Sequence, residues 1–173
     1  KEGVRRKKGL FSWILGLAIS GNGQSYADST EGKYGPVGLT PNLEHIVVKR
    51  HPKISIHIPL YNEKNVVERL LTAVSSFDYK GSYEVIIADD STDETTKIVL
   101  QFLKANYGEL RFNRDKQGNE IYKTSPIPNK PSFTLLHRAS RSGFKGGALR
   151  LALSVTDPEA EFVSVFDADF VPY

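Results

Sequence analysis

The chain has 173 residues, of which 39% are hydrophobic, 25% charged and 10% aromatic, with no Cys, no Met and a formal charge of +3. That balance fits one globular domain plus a tail and excludes a disordered chain, collagen and a coiled coil. Lack of Cys rules out a disulfide framework and a thiolate metal site and favours a reducing compartment, while lack of Met predicts that Lys1 is not a native start and that the chain is part of something longer.

The N-terminal tail holds the basic excess. Lys1, Arg5, Arg6, Lys7 and Lys8 stand against Glu2, so the first eight residues carry +4 and the other 165 sum to −1. A nucleic-acid reader would spread basic residues over a folded face with interleaved aromatics, and no such pattern follows Lys8, so no nucleic-acid partner is expected. Leu10 to Ile19 is an apolar run of ten residues, half the ~20 that a membrane-spanning helix needs. With its basic flank it predicts a juxtamembrane segment, the cations at the cytoplasmic leaflet and Phe11, Trp13 and Leu15 in the interface. The protein is then membrane-associated through its flanking segments, with the folded part facing the cytoplasm. A secretory signal peptide, or a helix packed on the domain, would fit the same residues. Residues 20–41 are rich in Gly, Ser, Asn and Pro without a period and read as linker. Residues 1–50 are thus a tail and linker, and 51–173 a folded domain.

From Ile54 apolar β-branched runs alternate with helical patterns. Residues 54–59 read as a strand with Ile on one face and Ser55 and His57 on the other. Tyr61-Asn62-Glu63 turns into a helix with Val66, Val67, Leu70, Leu71 and Val74 at helical spacing, ending near Ser76. Residues 84–88 form a short, almost wholly apolar strand, as expected where both faces are covered. Asp93 is placed to cap the next helix, whose buried stripe is Ile98, Val99, Phe102 and Leu103. Residues 106–132, with Gly108, Gly118, Pro126, Pro128 and Pro131, read as an inserted loop or hairpin with Ile121 and Tyr122 on one arm. A strand at 133–136, a helix at 145–154 and a strand at 162–166 complete the series. Such alternation implies an α/β fold, a mostly parallel sheet with helices on both faces.

In open α/β sheets, ligands bind beyond the carboxyl ends of the strands, where this sequence puts its polar clusters. Tyr61-Asn62-Glu63 follows the first strand, Asp89-Asp90-Ser91-Thr92-Asp93 the second, His137-Arg138 through Lys145 the third, and Asp167-Ala168-Asp169 the fourth. Acid, acid, base and acid at one edge describe a site for a phosphate-bearing ligand and a divalent cation. Residues two apart in an extended segment point the same way, so Asp167 and Asp169 can converge on one hard cation, Mg²⁺ or Mn²⁺. A solvated turn is the bland alternative for that pair. Asp89 and Asp90 sit where a carboxylate can accept from a nucleobase N–H or a ribose hydroxyl, or can help cap the following helix. Arg138, Arg141 and Lys145, with Gly143, Gly146 and Gly147 among them, suit an anion such as a diphosphate, or form a solvated basic loop. Neither a P-loop nor a Gly-x-Gly-x-x-Gly dinucleotide motif is present.

Four segments carry a resemblance: Ile58-Pro59-Leu60-Tyr61-Asn62-Glu63, Asp89 to Asp93, Arg141-Ser142-Gly143-Phe144-Lys145-Gly146-Gly147-Ala148-Leu149, and Phe166 to Pro172. In type and order they resemble the motifs of the inverting family-two glycosyltransferases of GT-A fold, in particular the cellulose synthase and glucomannan synthase-like branch of membrane enzymes. The likeness runs from Ile54 to Pro172. It implies that Tyr61 and Glu63 border the nucleotide, with Tyr61 near the base. Asp90, with Asp89 beside it, would contact base or ribose, and Lys145 the nucleotide-sugar; Arg141 is expected to bind substrate as part of the same basic segment. Asp167 and Asp169 would form the Asp-x-Asp pair, Asp169 being the direct metal ligand. The implied reaction passes a hexose from a nucleotide-sugar, UDP-glucose or GDP-mannose in type, with inversion to a growing β-glycan. The cation would neutralise the departing nucleoside diphosphate, and a carboxylate base would deprotonate the acceptor. No catalytic base is expected here: the family's acidic motif and its Gln-x-x-Arg-Trp motif are absent, so the base is expected beyond Tyr173 and the chain is expected to be inactive alone. Transfer of a single sugar to a polyprenyl phosphate, and a nucleotide-binding module without chemistry, are the competing functions.

Overall fold

The structure, a computed structural model, describes residues 49–169. Nearly all belong to the second of two units into which the chain divides, His51–Tyr173. The juxtamembrane, signal-peptide and linker readings fall outside the described residues. Among the described residues no helix is long and apolar enough to cross a membrane.

The elements in chain order are β1 (Ile54–Leu60), α1 (Val67–Ser75), β2 (Tyr83–Asp89), α2 (Thr95–Tyr107), β3 (Arg111–Arg114), β4 (Glu120–Lys123), β5 (Ser132–His137), α3 (Phe144–Val155) and β6 (Phe162–Val165). One sheet takes the order β3-β4-β5-β2-β1-β6. Strands β5, β2, β1 and β6 run parallel, and the β3–β4 hairpin is added antiparallel to β5. This is the α/β, mostly parallel architecture expected from the alternation of strand and helix.

The sheet is covered on both faces in its middle. Ile86, Ala88 and Leu136 pack with Ala148 and Ala152 of α3. The alternate residues face the other way: Phe133 of β5 meets Tyr107 of α2, and Tyr83 of β2 donates its hydroxyl to the Val74 carbonyl of α1. Strand β2 lies between two neighbours and two helix layers, so Val85, Ile86 and Ile87 are all wholly buried, each such side chain contributing about 1.5–3 kcal/mol. The alternation in β1 does not mark an exposed face. Ser55 and His57 are buried too, because they sit in a polar corner closed by the end of α3: His57 Nε2 bonds Thr156 Oγ1 at 2.9 Å and Ser55 donates to Glu84 at 2.8 Å. Burial holds the His57 imidazole below its usual pKa, favouring the neutral ring.

Two local readings are sharpened. Helix α2 begins at Thr95 with Glu94 at the cap position, one residue past the expected Asp93. The Asp93 carboxylate nevertheless accepts the Thr95 N–H at 2.9 Å, so its side chain does the capping. The final apolar strand differs more. Strand β6 is at the sheet edge, paired with β1 alone among the described residues, and Phe162, Val163 and Val165 are exposed.

Candidate functional site

The chain passes from β1 to β2 to β5 in one direction across the sheet, then returns to place β6 on the far side of β1. The strand order therefore reverses between β1 and β6, which is where open α/β sheets form a ligand crevice at their carboxyl ends. Tyr61 and Glu63 leave β1 there, and Asp167 and Asp169 leave β6. With β1, β2, β5 and β6 parallel, the expected clusters all emerge at one edge.

Two clefts adjoin at this edge and share Tyr61, Asp90 and Arg141 as a common wall. The larger, about 540 Å³, lies at the reversal point, with Glu63, Lys145, Asp167 and Asp169 around it. The smaller, about 460 Å³, lies over the ends of β2 and β5 and is closed by Glu120, His137 and Gly118. Thus Tyr61, Glu63, Asp90, Arg141, Lys145, Asp167 and Asp169 line these clefts. Asp89 does not: it is wholly buried beneath them.

Loop-to-loop bonds fix this arrangement. Asn62, in the left-handed region at φ 57°, accepts the Thr92 N–H at 2.8 Å while its own N–H donates to Ser91 Oγ at 2.9 Å. The β1 and β2 loops are thereby tied, and Asn at this φ is tolerated where most side chains are strained. On the other side Asp115 takes the N–H groups of Gln117 and Asn119, closing the hairpin turn, and Asn119 accepts the Ala139 N–H at 3.0 Å. The hairpin therefore does more than cover an edge: it brings Gly118 and Glu120 to the smaller cleft.

The charged groups are partnered in ways that separate their roles. Lys145 Nζ pairs with Asp167, both side chains more than half exposed. Arg141 lies over the Tyr61 ring, its guanidinium carbon 3.3 Å from the centroid. Arg138, grouped with these cations on sequence grounds, is instead buried with Asp90, their side chains 6% and 4% exposed. Asp89 accepts from Ser91 N–H at 3.0 Å and from Thr96 Oγ1 at 2.5 Å, and bonds His137 Nδ1 at 2.9 Å. Burial alone would raise the Asp89 carboxyl, but the bonds from His137, Ser91 and Thr96 outweigh it and hold the pKa low. The Asp89 bond correspondingly raises the pKa of His137 against the effect of its burial.

This pair has a pH signature. The Asp89 contribution is present above its ordinary value of 3.8 and is lost as pH falls through the lower folded value. The His137 contribution is present below its ordinary 6.5 and is lost as pH rises through the higher folded value. Stability from the pair is thus greatest between these limits, and His137→Gln is expected to flatten the alkaline decline. Thermal unfolding of both proteins from pH 5 to 9 checks this, and an equal alkaline slope in the variant would contradict it.

Asp167 and Asp169 fit a cation of limited kind. Both carboxylates are exposed and border one cleft, and among the described residues no three His, Asp or Glu side chains converge as a cage. Two oxygen donors match a hard ion such as Mg²⁺ or Mn²⁺, which keeps waters and completes its shell with substrate phosphates. They do not match a structural Zn²⁺ site, which takes four protein ligands, chiefly Cys and His.

Sequence reasoning missed Glu120 as a site residue, and it placed Asn62 and His137 in the polar clusters without giving either a role. The signal for His137 was in register, since it pairs with Asp89 on one side and Glu120 on the other, but strand order is needed to read it.

Comparison with known proteins bears on the family and is consistent with the α/β fold described above. The family model described as Glycosyl transferase family 2 matches residues 55–173. Glucomannan 4-beta-mannosyltransferase 1 of Cyamopsis tetragonoloba is 30% identical over 142 residues, 81% of this chain and 23% of that protein. The probable glucomannan 4-beta-mannosyltransferase 1 of Arabidopsis thaliana is 32% identical over 124 residues, 70% of this chain and 19% of that protein. A probable glucomannan 4-beta-mannosyltransferase 2 of Oryza sativa subsp. japonica is 30% identical over 144 residues, 81% of this chain and 22% of that protein. The chain spans less than a quarter of the length of each of these relatives. With the family model covering well over half of its residues, the chain belongs to glycosyl transferase family 2.

Proposed function

We propose that this chain is the donor-binding part of an inverting glycosyltransferase, which moves a hexose from a GDP-mannose or UDP-glucose type donor to a growing β-glycan with Mg²⁺ or Mn²⁺. One observation carries the reading. A lysine and two carboxylates from different elements, Lys145, Asp167 and Asp169, share one cleft at the reversal of strand order. The mannosyltransferase names of the relatives favour a hexose and a glycan acceptor. Membrane attachment is assigned to flanking segments, beginning with the basic and apolar residues of the tail, and the cytoplasmic side to residues 51–173.

In this reading the nucleoside lies in the smaller cleft and the diphosphate in the larger one. The Tyr61 ring with Arg141 over its face forms the cationic wall between them. Both Asp90 oxygens are held by Arg138, leaving the remaining lone pairs for a ribose hydroxyl or base N–H. Asp89 acts from beneath, by orienting His137. Glu63 borders the nucleotide from β1. Lys145 exchanges Asp167 for a phosphate oxygen as the donor enters, which frees the Asp167 carboxylate. Asp169 and Asp167 would hold the cation, which would supply charge neutralisation on the leaving diphosphate when bound. The acceptor hydroxyl then attacks the anomeric carbon opposite the leaving group. The new glycosidic bond forms as the bond to the diphosphate breaks, and the base that takes the hydroxyl proton is assigned outside residues 1–173.

Membranes carrying the full-length protein, supplied with radiolabelled GDP-mannose or UDP-glucose and Mn²⁺, test this. The expected product is a β-linked polymer from one of the two. Label in a lipid-linked monosaccharide would overturn the glycan acceptor, and no transfer from either donor would overturn the reading.

A further inference from the structure

Arg138 makes more bonds than neutralising Asp90 requires. Its Nε and Nη2 grip the two Asp90 oxygens, each at 2.5 Å. Its Nη1 donates to the Ser142 carbonyl and its Nη2 also to the Phe144 carbonyl, both at 3.0 Å. A lysine could supply the charge but not this planar fork.

The two carbonyls belong to an unusual backbone. Gly143 and Phe144 follow one another in the left-handed region, at φ 73° and 48°. Glycine enters that region freely, but a bulky aromatic residue stays there only when its surroundings hold it. Core packing does not hold it, because Phe144 is 67% exposed. The holding bonds are those of Arg138, with Phe144 N–H to Arg141 O at 2.9 Å and Gly147 N–H to Gly143 O at 2.8 Å. The bend also demands glycine at 147: a Cβ there would collide with the Ser142 carbonyl oxygen and lie 2.8 Å from Arg138 Nη1.

This bent segment begins at Arg141, which reaches the Tyr61 ring, and ends at Lys145, which reaches Asp167. One clamp therefore fixes both exposed cations of the two clefts, while binding the carboxylate that closes the end of β2.

We propose that Arg138 is a positioning residue: it sets the Arg141–Lys145 segment in its bent form before any ligand arrives, so that both cations already stand on the path of the donor's diphosphate. The part played by the donor rests on the function proposed above; the clamp on the segment does not. Preorganisation of this kind spares the ordering cost that binding would otherwise carry.

Hydrogen exchange of the unliganded chain separates the two. Arg138→Lys keeps the charge beside Asp90 and is expected to speed exchange at the Phe144 and Gly147 amides about tenfold or more, with the β2 and β5 amides unchanged. Equal protection in the variant would mean that Arg138 only neutralises Asp90, and would overturn the proposal. The donor arm is a double-mutant cycle with Mn²⁺ and whichever of GDP-mannose or UDP-glucose binds. Arg141→Ala should weaken binding about tenfold in the wild-type background and less than about threefold in Arg138→Lys. Full multiplication of the two losses would show that Arg138 does not act through the segment. Failure of the wild type to bind either donor would remove the donor reading and leave the exchange experiment to decide the clamp.

Discussion

Asp169→Asn is expected to lower metal-dependent binding of the nucleotide-sugar about 100-fold, near 2.7 kcal/mol, with little change in thermal stability. Asp169 is exposed on the loop after β6, so its replacement removes no packing, and exposed substitutions of this kind usually stay within about 0.5 kcal/mol. The loss in binding comes from charge. An amide offers the ion one neutral oxygen in place of an anionic pair, and among the described residues the β6 loop brings two carboxylates, Asp167 and Asp169, to the larger cleft. Asp167→Asn should weaken binding less, because it also releases Lys145 for the diphosphate. Affinity in excess Mn²⁺ and in EDTA measures both. An Asp169→Asn protein that binds the donor with wild-type metal dependence would contradict the assignment.

The second large effect is on stability. Asp90→Ala leaves the Arg138 guanidinium buried without its counter-ion, a change that costs about 3–5 kcal/mol in comparable buried pairs. The pair's side chains are 6% and 4% exposed, so water cannot readily replace the carboxylate. Against a total stability of about 5–15 kcal/mol for an ordinary domain, the urea midpoint should fall by a large fraction. Adding Arg138→Met to Asp90→Ala removes the stranded charge and should restore part of the loss. A cost below about 1 kcal/mol for Asp90→Ala would show that the pair is solvated, contrary to its burial.

These two residues illustrate what the sequence could and could not reveal. The position of Asp169 at the larger cleft was legible because its signal is local: a carboxylate pair two residues apart directly after an apolar strand. The β-α alternation and the arrival of four polar clusters at one sheet edge were legible for the same reason, since period and order lie along the chain. Arg138 was misjudged because its partner stands 48 residues away. Sequence gives its charge, but the choice between a diphosphate and a buried Asp90 depends on which strands are neighbours. Asp89 and Asp90 looked alike for that reason as well. Successive residues at a strand end point in opposite directions, so Asp89 is turned under the site toward His137 while Asp90 faces the clefts. The exposure of β6 was hidden in its apolar composition, which fits a covered strand equally well. Only the strand order places it at the edge.

In the function proposed above, residues 51–173 bind a nucleotide-sugar through a divalent cation at the carboxyl edge of the sheet. Calorimetric titration of the folded chain with GDP-mannose and with UDP-glucose, each with and without Mn²⁺, tests it most directly. The expected result is saturable one-to-one binding of one donor that needs the metal and is weakened about 100-fold in Asp169→Asn. Absence of metal-dependent binding by either donor in a folded sample would contradict it.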